Sequence, residues 1–273
     1  MAVQENKQTY PPLEIKRLAD NLIIAVGSAG ANTGILIGKD HVLLIDAKMT
    51  SDAVKELSAI IQTQVGKPVS VIVLTHSDID HVGGIDSWQA PFKLISHEAT
   101  KREIIAQAQR VPVNHLPDEV FSDTLNFNFE GNPVELIHVG PAHTGGDTAV
   151  LLPKLRTVFV GDLLFFHRDL LIHRQKGGSS GGLVKALDFL LSLDAEVFAS
   201  GHSDPVGRAE VLQLRSAVAG KRDGVRSLAA KGISWEDIKT QLDIKDTPTA
   251  PGRPNFPSLA EVAYLEFIQE NNN

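Results

Sequence analysis

The chain has 273 residues, 42% of them hydrophobic and 22% charged, with a net charge of -7 and no cysteine. That length allows roughly two domains and a large core, and the residue balance is that of a folded globular protein, neither disordered nor membrane-spanning. The acidic excess argues against nucleic acid as a partner, and the lack of cysteine excludes disulfides, thiolate nucleophiles and Cys-bound zinc.

In chain order, residues 1–7 are polar and lack the apolar stretch of a signal peptide. The cytoplasm is therefore the default compartment, with periplasm or secretion open to a chain whose leader has been removed. No run of 18 apolar residues occurs, so no membrane partner is expected. Residues 22–26, 33–37 and 41–45 are short Val/Ile/Leu-rich runs separated by Gly and Asp, and predict antiparallel strands. Residues 51–64 carry Val54, Leu57, Ile60 and Ile61 at helical spacing, and residues 69–74 predict a buried strand. Further strands are predicted at 92–95, 134–139, 148–152, 157–160 and 197–199, and helices at 98–109 and 183–191. The Gly/Ser stretch 177–182 reads as a flexible loop at a site mouth, since its spacing matches no nucleotide-binding fingerprint. From Ala209 the pattern is helical, with Ser234 as a cap and a last helix near 259–268. Two sheet-plus-helix halves packed sheet on sheet give an α/β sandwich over residues 1–210, and residues 211–273 a helical extension packed on the same domain.

The strand 69–74 delivers His76-Ser77-Asp78-Ile79-Asp80-His81, four metal-binding side chains within six residues. Imidazole and carboxylate ligands suit zinc, iron or manganese, and so polar a run at a strand end needs partners. Three more candidates follow strand-like runs and lie beside or close to glycine: His143 in Gly140-Pro141-Ala142-His143-Thr144-Gly145, Asp162 after Gly161, and His202 after Gly201. Strand ends followed by loops are where α/β folds gather functional groups.

This ordered set resembles the metallo-β-lactamase superfamily, whose hallmark is His-x-His-x-Asp-His, then a distant His, an Asp after Gly, and a final Gly-His. The resemblance covers residues 20–208 and implies a four-layer αβ/βα sandwich with a C-terminal helical extension. It implies a first metal site of His76, Asp78 and His143, a second of Asp80, His81 and His202, and Asp162 bridging both. The bridging Asp is similar to that of glyoxalase II-like, lactonase-like and phosphodiesterase-like members. Antibiotic-hydrolysing enzymes generally lack it, which leaves β-lactam hydrolysis a weak alternative. Asp78 departs from the family pattern, which has His there; the carboxylate adds negative charge to the first site.

The implied cofactor is one or two zinc ions, with iron or manganese as alternatives. The implied activity is hydrolysis of an ester, lactone, thioester or amide of a small-molecule substrate by a metal-bound hydroxide, with Asp80 orienting the water. A mononuclear iron oxidoreductase is the competing reading, because His76, Asp78 and His143 form a two-histidine, one-carboxylate set. His173 is a candidate substrate contact, Asp147 a brace for the His143 loop, and Trp88 a core residue. His41, His97, His115, His138 and His167 read as surface or packing residues. The sequence carries no sign of oligomeric state.

Overall fold

The computed structural model describes residues 10–108, 113–166, 169–245 and 256–272. Its first sheet has seven strands in sequence order. β1 (Glu14–Ala19), β2 (Leu22–Val26), β3 (Thr33–Ile37) and β4 (Val42–Ile45) form an antiparallel meander. After α1 (Ser51–Gln64), β5 (Val69–Val73) joins parallel to β4. The short helix α2 (Ile79–Val82) follows, then β6 (Lys93–His97), α3 (Glu98–Gln107) and β7 (Glu119–Phe121), which continue the parallel half. Thr50 starts α1 by accepting the Ala53 N–H, and Val54, Leu57 and Ile61 recur on its buried face.

The second sheet has five strands in the order β12-β11-β10-β9-β8. β8 (Thr124–Phe129) and β9 (Asn132–His138) form a hairpin whose turn residues Glu130 and Gly131 both have positive φ, 49° and 92°. β10 (Thr148–Leu152) and β11 (Thr157–Phe159) extend it antiparallel, and β12 (Val197–Ala199) pairs parallel to β11 after crossing over through α4 (Ser180–Ser192).

Period-2 alternation explains why the strands are buried on both faces. In β10, Val150 and Leu152 face the first sheet while Ala149 and Leu151 face the helices. In β2, Leu22 and Ile24 meet the second sheet, and Ile23 and Ala25 pack on the α1 side. The result is helix, sheet, sheet, helix, the four layers expected from the sequence. Outside the second sheet, α4 packs against α5 (Arg208–Ala229) and α7 (Leu259–Asn271), and α6 (Trp235–Gln241) joins the far end of α5.

Predicted elements differ from these in three ways. β1, β7 and β8 were not among the predicted strands, although Thr124-Leu125-Asn126-Phe127-Asn128-Phe129 alternates strictly. The Gly/Ser stretch is not a loop throughout: Ser179 caps α4, accepting the Gly182 N–H, and Ser180, Gly181 and Gly182 form its first turn. Glycine is needed there because a Cβ on Gly182 would collide with the Pro141 carbonyl, and one on Gly178 with the His143 carbonyl. The helix predicted over 98–109 ends at Gln107, and its last predicted residue, like His167, lies outside the described residues.

Candidate metal centre

Four connections converge at one end of the facing sheets. His76 follows β5, and Asp80 and His81 lie on α2, with Asp78 at its start. His143 follows β9, Asp162 sits in a 3-10 turn after β11, and His202 follows β12. The Thr148 N–H donates to the Thr75 carbonyl at 2.9 Å, tying the two sheets together beside the site. Gly161 has φ 52°, and a Cβ there would press on Thr75 and the His76 ring, so glycine is required for the turn that presents Asp162.

The seven predicted ligands are brought together in two groups. His76, Asp78, His143 and Asp162 each offer an atom within 4.8 Å of the others, as do Asp80, His81 and His202. Asp162 lies between them: Oδ1 is 3.1 Å from His81 Nε2, and Oδ2 is 3.3 Å from His202 Nε2 and 3.9 Å from His143 Nε2. Asp80 Oδ2 is 2.9 Å from His202 Nε2.

The outward-facing nitrogens are held by the protein. His81 Nδ1 meets Asp46 Oδ2 at 2.7 Å, and Asp46 also accepts the Thr75 N–H and hydroxyl, each at 2.8 Å. His143 Nδ1 meets the Leu171 carbonyl at 2.7 Å, and His76 Nδ1 the Thr75 hydroxyl at 3.1 Å. Such anchoring turns each Nε2 inward. Among the described residues five buried side-chain polar atoms lack a hydrogen-bond partner, and four of them are here: His76 Nε2, His81 Nε2, His202 Nε2 and Asp162 Oδ1. An unsatisfied buried polar atom costs about 1–3 kcal/mol, so four such atoms across the two groups fit one or two cations that would engage them.

The electrostatics point the same way. Burial opposes charge on Asp162, but the His81 and His202 imidazoles hold its carboxyl well below the usual range. Burial pushes His143 down, yet the Asp78 hydrogen bond and the Asp162 charge raise it to about 9. His202 likewise reaches about 9 against burial, through Asp162 and Asp80. Protons on imidazole thus balance the carboxylates, the electrostatic role that a dication at this place would take.

Asp78 is gripped more tightly than a free ligand. Its Oδ1 accepts from Lys176 Nζ at 2.7 Å, and its Oδ2 lies 2.9 Å from His173 Nε2, 3.1 Å from His143 Nε2 and 3.8 Å from His76 Nε2. His173 is therefore beside the first group, buried and edge-on to Phe256. Asp147 accepts the Thr144 N–H and hydroxyl, bracing the His143 loop. Trp88 is in the core and donates to the Ala47 carbonyl.

Sequence reasoning missed Asp46, Lys176, Glu103 and Lys48. Glu103 accepts from Ser77 inside the ligand turn, and burial pushes its carboxyl up. Lys48, fully buried, donates to the Gly27 and Ala31 carbonyls at 2.8 Å each. Only Asp46 had a readable signal: like Asp162, it follows directly on a buried apolar run.

A family model described as the metallo-beta-lactamase superfamily matches residues 27–202. Among similar proteins, the 2,4-dinitroanisole O-demethylase subunit alpha of Nocardioides sp. (strain JS1661) is 30% identical over 132 residues, 47% of this chain and 39% of that protein. An atrochrysone carboxyl ACP thioesterase of Claviceps purpurea (strain 20.1) is 24% identical over 223 residues, 78% and 66% of the two chains. A hydroxyacylglutathione hydrolase of Aeromonas hydrophila is 26% identical over 156 residues, 57% and 51% of the two. The matches thus span less than two thirds of each relative's own length. Of the solved structures, a metallo-beta-lactamase from Pontibacter korlensis superposes with a TM-score of 0.66 at 22% identity, covering 76% of this chain and 99% of that one. One from Hirschia baltica gives 0.64 at 18% identity, covering 76% and 98%. These two likenesses are of fold. Because the family model runs unbroken from the pocket loop at Gly27 to His202, on a fold those enzymes share, the chain belongs to the metallo-beta-lactamase superfamily.

Proposed function

We propose that the chain is a metal-dependent hydrolase of an ester, lactone, thioester or amide carbonyl, with zinc as the cation in one or two sites. The observation that carries this is the convergence of His76 Nε2, His81 Nε2, His202 Nε2 and Asp162 Oδ1, buried and without hydrogen-bond partners. His76, Asp78 and His143 would hold one ion and Asp80, His81 and His202 the other, with Asp162 between them. When bound, such ions polarise a carbonyl and lower the pKa of water. The relatives named as a thioesterase and a hydroxyacylglutathione hydrolase support carbonyl hydrolysis, and Asp162 supports the glyoxalase II-like side of the family.

The chain's own residues do the rest. Asp80 lines the pocket, and its carboxyl is held low by His202 and His81 against burial, so it is ionised and orients a water through its oxygens. Asp46 keeps the His81 ring fixed and Thr75 keeps Asp46 fixed, so the inward nitrogen does not turn away. His173 and Lys176 hold Asp78 in place, and His173, which also lines the pocket, is where substrate contact is expected.

Metal content measured on protein purified without added metal, together with ester and lactone hydrolysis before and after chelation, tests this. Zinc content with activity lost on chelation and restored by zinc is expected; full activity in the chelated protein would overturn it. A mononuclear iron oxidoreductase is the second reading, favoured by Asp78 Oδ2 sitting 3.1 Å from His143 Nε2 and 3.8 Å from His76 Nε2, a two-histidine, one-carboxylate cluster. Iron in place of zinc, with no hydrolysis, would select it.

A further inference from the structure

We infer that the site takes an uncharged substrate with a long apolar arm on the acyl side, and selects against one whose arm ends in a carboxylate or phosphate; this rests on the hydrolase reading above. The cavity over the metal centre has a volume of about 1060 Å³. That is at the upper end for small-molecule sites, so a short acyl group leaves most of it unfilled. Above the floor formed by the ligand carboxylates and imidazoles, the wall includes Tyr10, Pro12, Met49, Ile79, Leu171 and Phe256. These come from separate parts of the chain, so apolar surface recurs around the wall, interrupted by the polar side chains of Ser28, Asn32, Gln107 and Gln175.

Charge on that wall decides what the arm carries. Among the described lining residues the ionisable side chains above the ligand set are Tyr10, Glu14, His173 and Lys176. Glu14 is exposed and shares Lys16 with Asp204, at 3.8 and 2.6 Å, so this rim offers an anionic arm no unengaged cation and repels it weakly. Lys176 is the cation that would bind one, but an ammonium has three N–H donors and all three are directed within the protein: to Asp78 Oδ1 at 2.7 Å, Ser77 Oγ at 3.2 Å and Gln107 Oε1 at 3.4 Å. His173 points Nε2 at Asp78 and meets Gln175 through Nδ1. Among the described lining residues an anionic arm would meet apolar side chains and no unengaged cation, whereas an alkyl or aryl arm gains from burial.

Two p-nitrophenyl esters of equal chain length separate these cases: the hexanoate, ending in methyl, and the mono-adipate, ending in carboxylate, with the acetate as a short reference. With zinc-loaded full-length protein, kcat/KM for the hexanoate is expected to exceed both others by at least tenfold. Met49→Lys and, separately, Glu14→Gln are expected to narrow the hexanoate-to-adipate ratio severalfold. Equal rates on the two long esters, a preference for the adipate, or a ratio that neither variant moves would overturn the inference. Binding of the corresponding ketones, with CH2 in place of the ester oxygen and so not hydrolysable, followed by saturation-transfer NMR, keeps the two readings apart. If no ester is cleaved yet the methyl-ended ketone binds better than the carboxylate-ended one, the hydrolase reading fails and the pocket assignment stands; equal binding of the two sinks the pocket assignment.

Discussion

Asp78 puts a carboxylate where an imidazole is the family habit, and Lys176 answers that charge at 2.7 Å from a turn distant in sequence. Replacing Lys176 by Met leaves a largely buried carboxylate without its cation partner, and removing one member of such a pair costs a few kcal/mol. Lys176 keeps 19% of its side chain exposed, so about 2 kcal/mol is expected for the metal-free protein in denaturant unfolding. The loss should shrink when zinc is added, because the ion then neutralises Asp78; an equal loss with and without zinc would mean that Asp78 is not engaged by it. Lys48 behaves differently. Burial lowers its pKa from 10.5 to about 8, partly opposed by Glu56 and Asp46. Below about pH 8 both folded and unfolded chains hold this proton, and the cost of burying the charge is felt in full. Between there and 10.5 the folded chain has released it while the unfolded chain still binds it, so stability rises with pH across that window. Relative to Lys48→Met, the wild type should gain roughly 3 kcal/mol between pH 7 and pH 10.5, as the drop from 10.5 to about 8 implies. A parallel pH dependence in the two proteins would remove Lys48 as the cause. Neither lysine was readable in the sequence, since nothing local distinguishes a buried lysine from the solvated majority.

The ligand turn itself was legible at the scale of elements because it depends on short-range order: a buried strand, then six residues of metal-binding character. The convergence of the other candidate ligands was legible by the same grammar of a strand followed by a glycine-bearing turn. Strands with mixed faces were harder to read. β1 and β7 carry charged residues along their length and sit at the two edges of the first sheet, where one side has no strand to pair with. The start of α4 misled for a different reason: glycines that read as looseness are there for close approach. Gly182→Ala would drive a methyl into the Pro141 carbonyl and should cost about 1–3 kcal/mol, with reduced hydrolysis because the His143 loop is what gives way. Gly220, in the middle of α5 with nothing within 4 Å of where an added methyl would sit, should behave oppositely, gaining about 0.5–1 kcal/mol as Ala. Thermal unfolding of both variants checks the contrast, and similar signs would contradict it.

At the scale of the molecule, two sheet-plus-helix halves and the antiparallel run of β2, β3 and β4 followed from the order of strands and helices, whereas the other strand pairings did not. Which strands become neighbours depends on contacts between residues far apart in the chain, and local pattern carries no record of them. The arrangement of the centre has its own consequence for the molecule. Asp80 and His81 follow the first sheet's β5, while His202 comes from the second sheet, so an ion held by these three would close a loop from residue 80 to residue 202. Cross-linking distant points of a chain restricts its unfolded state, the effect that disulfides supply in secreted proteins. In a chain with no cysteine, a metal ion in the proposed centre would take the place of such a staple, and its occupancy would set how tightly the two halves are sewn together.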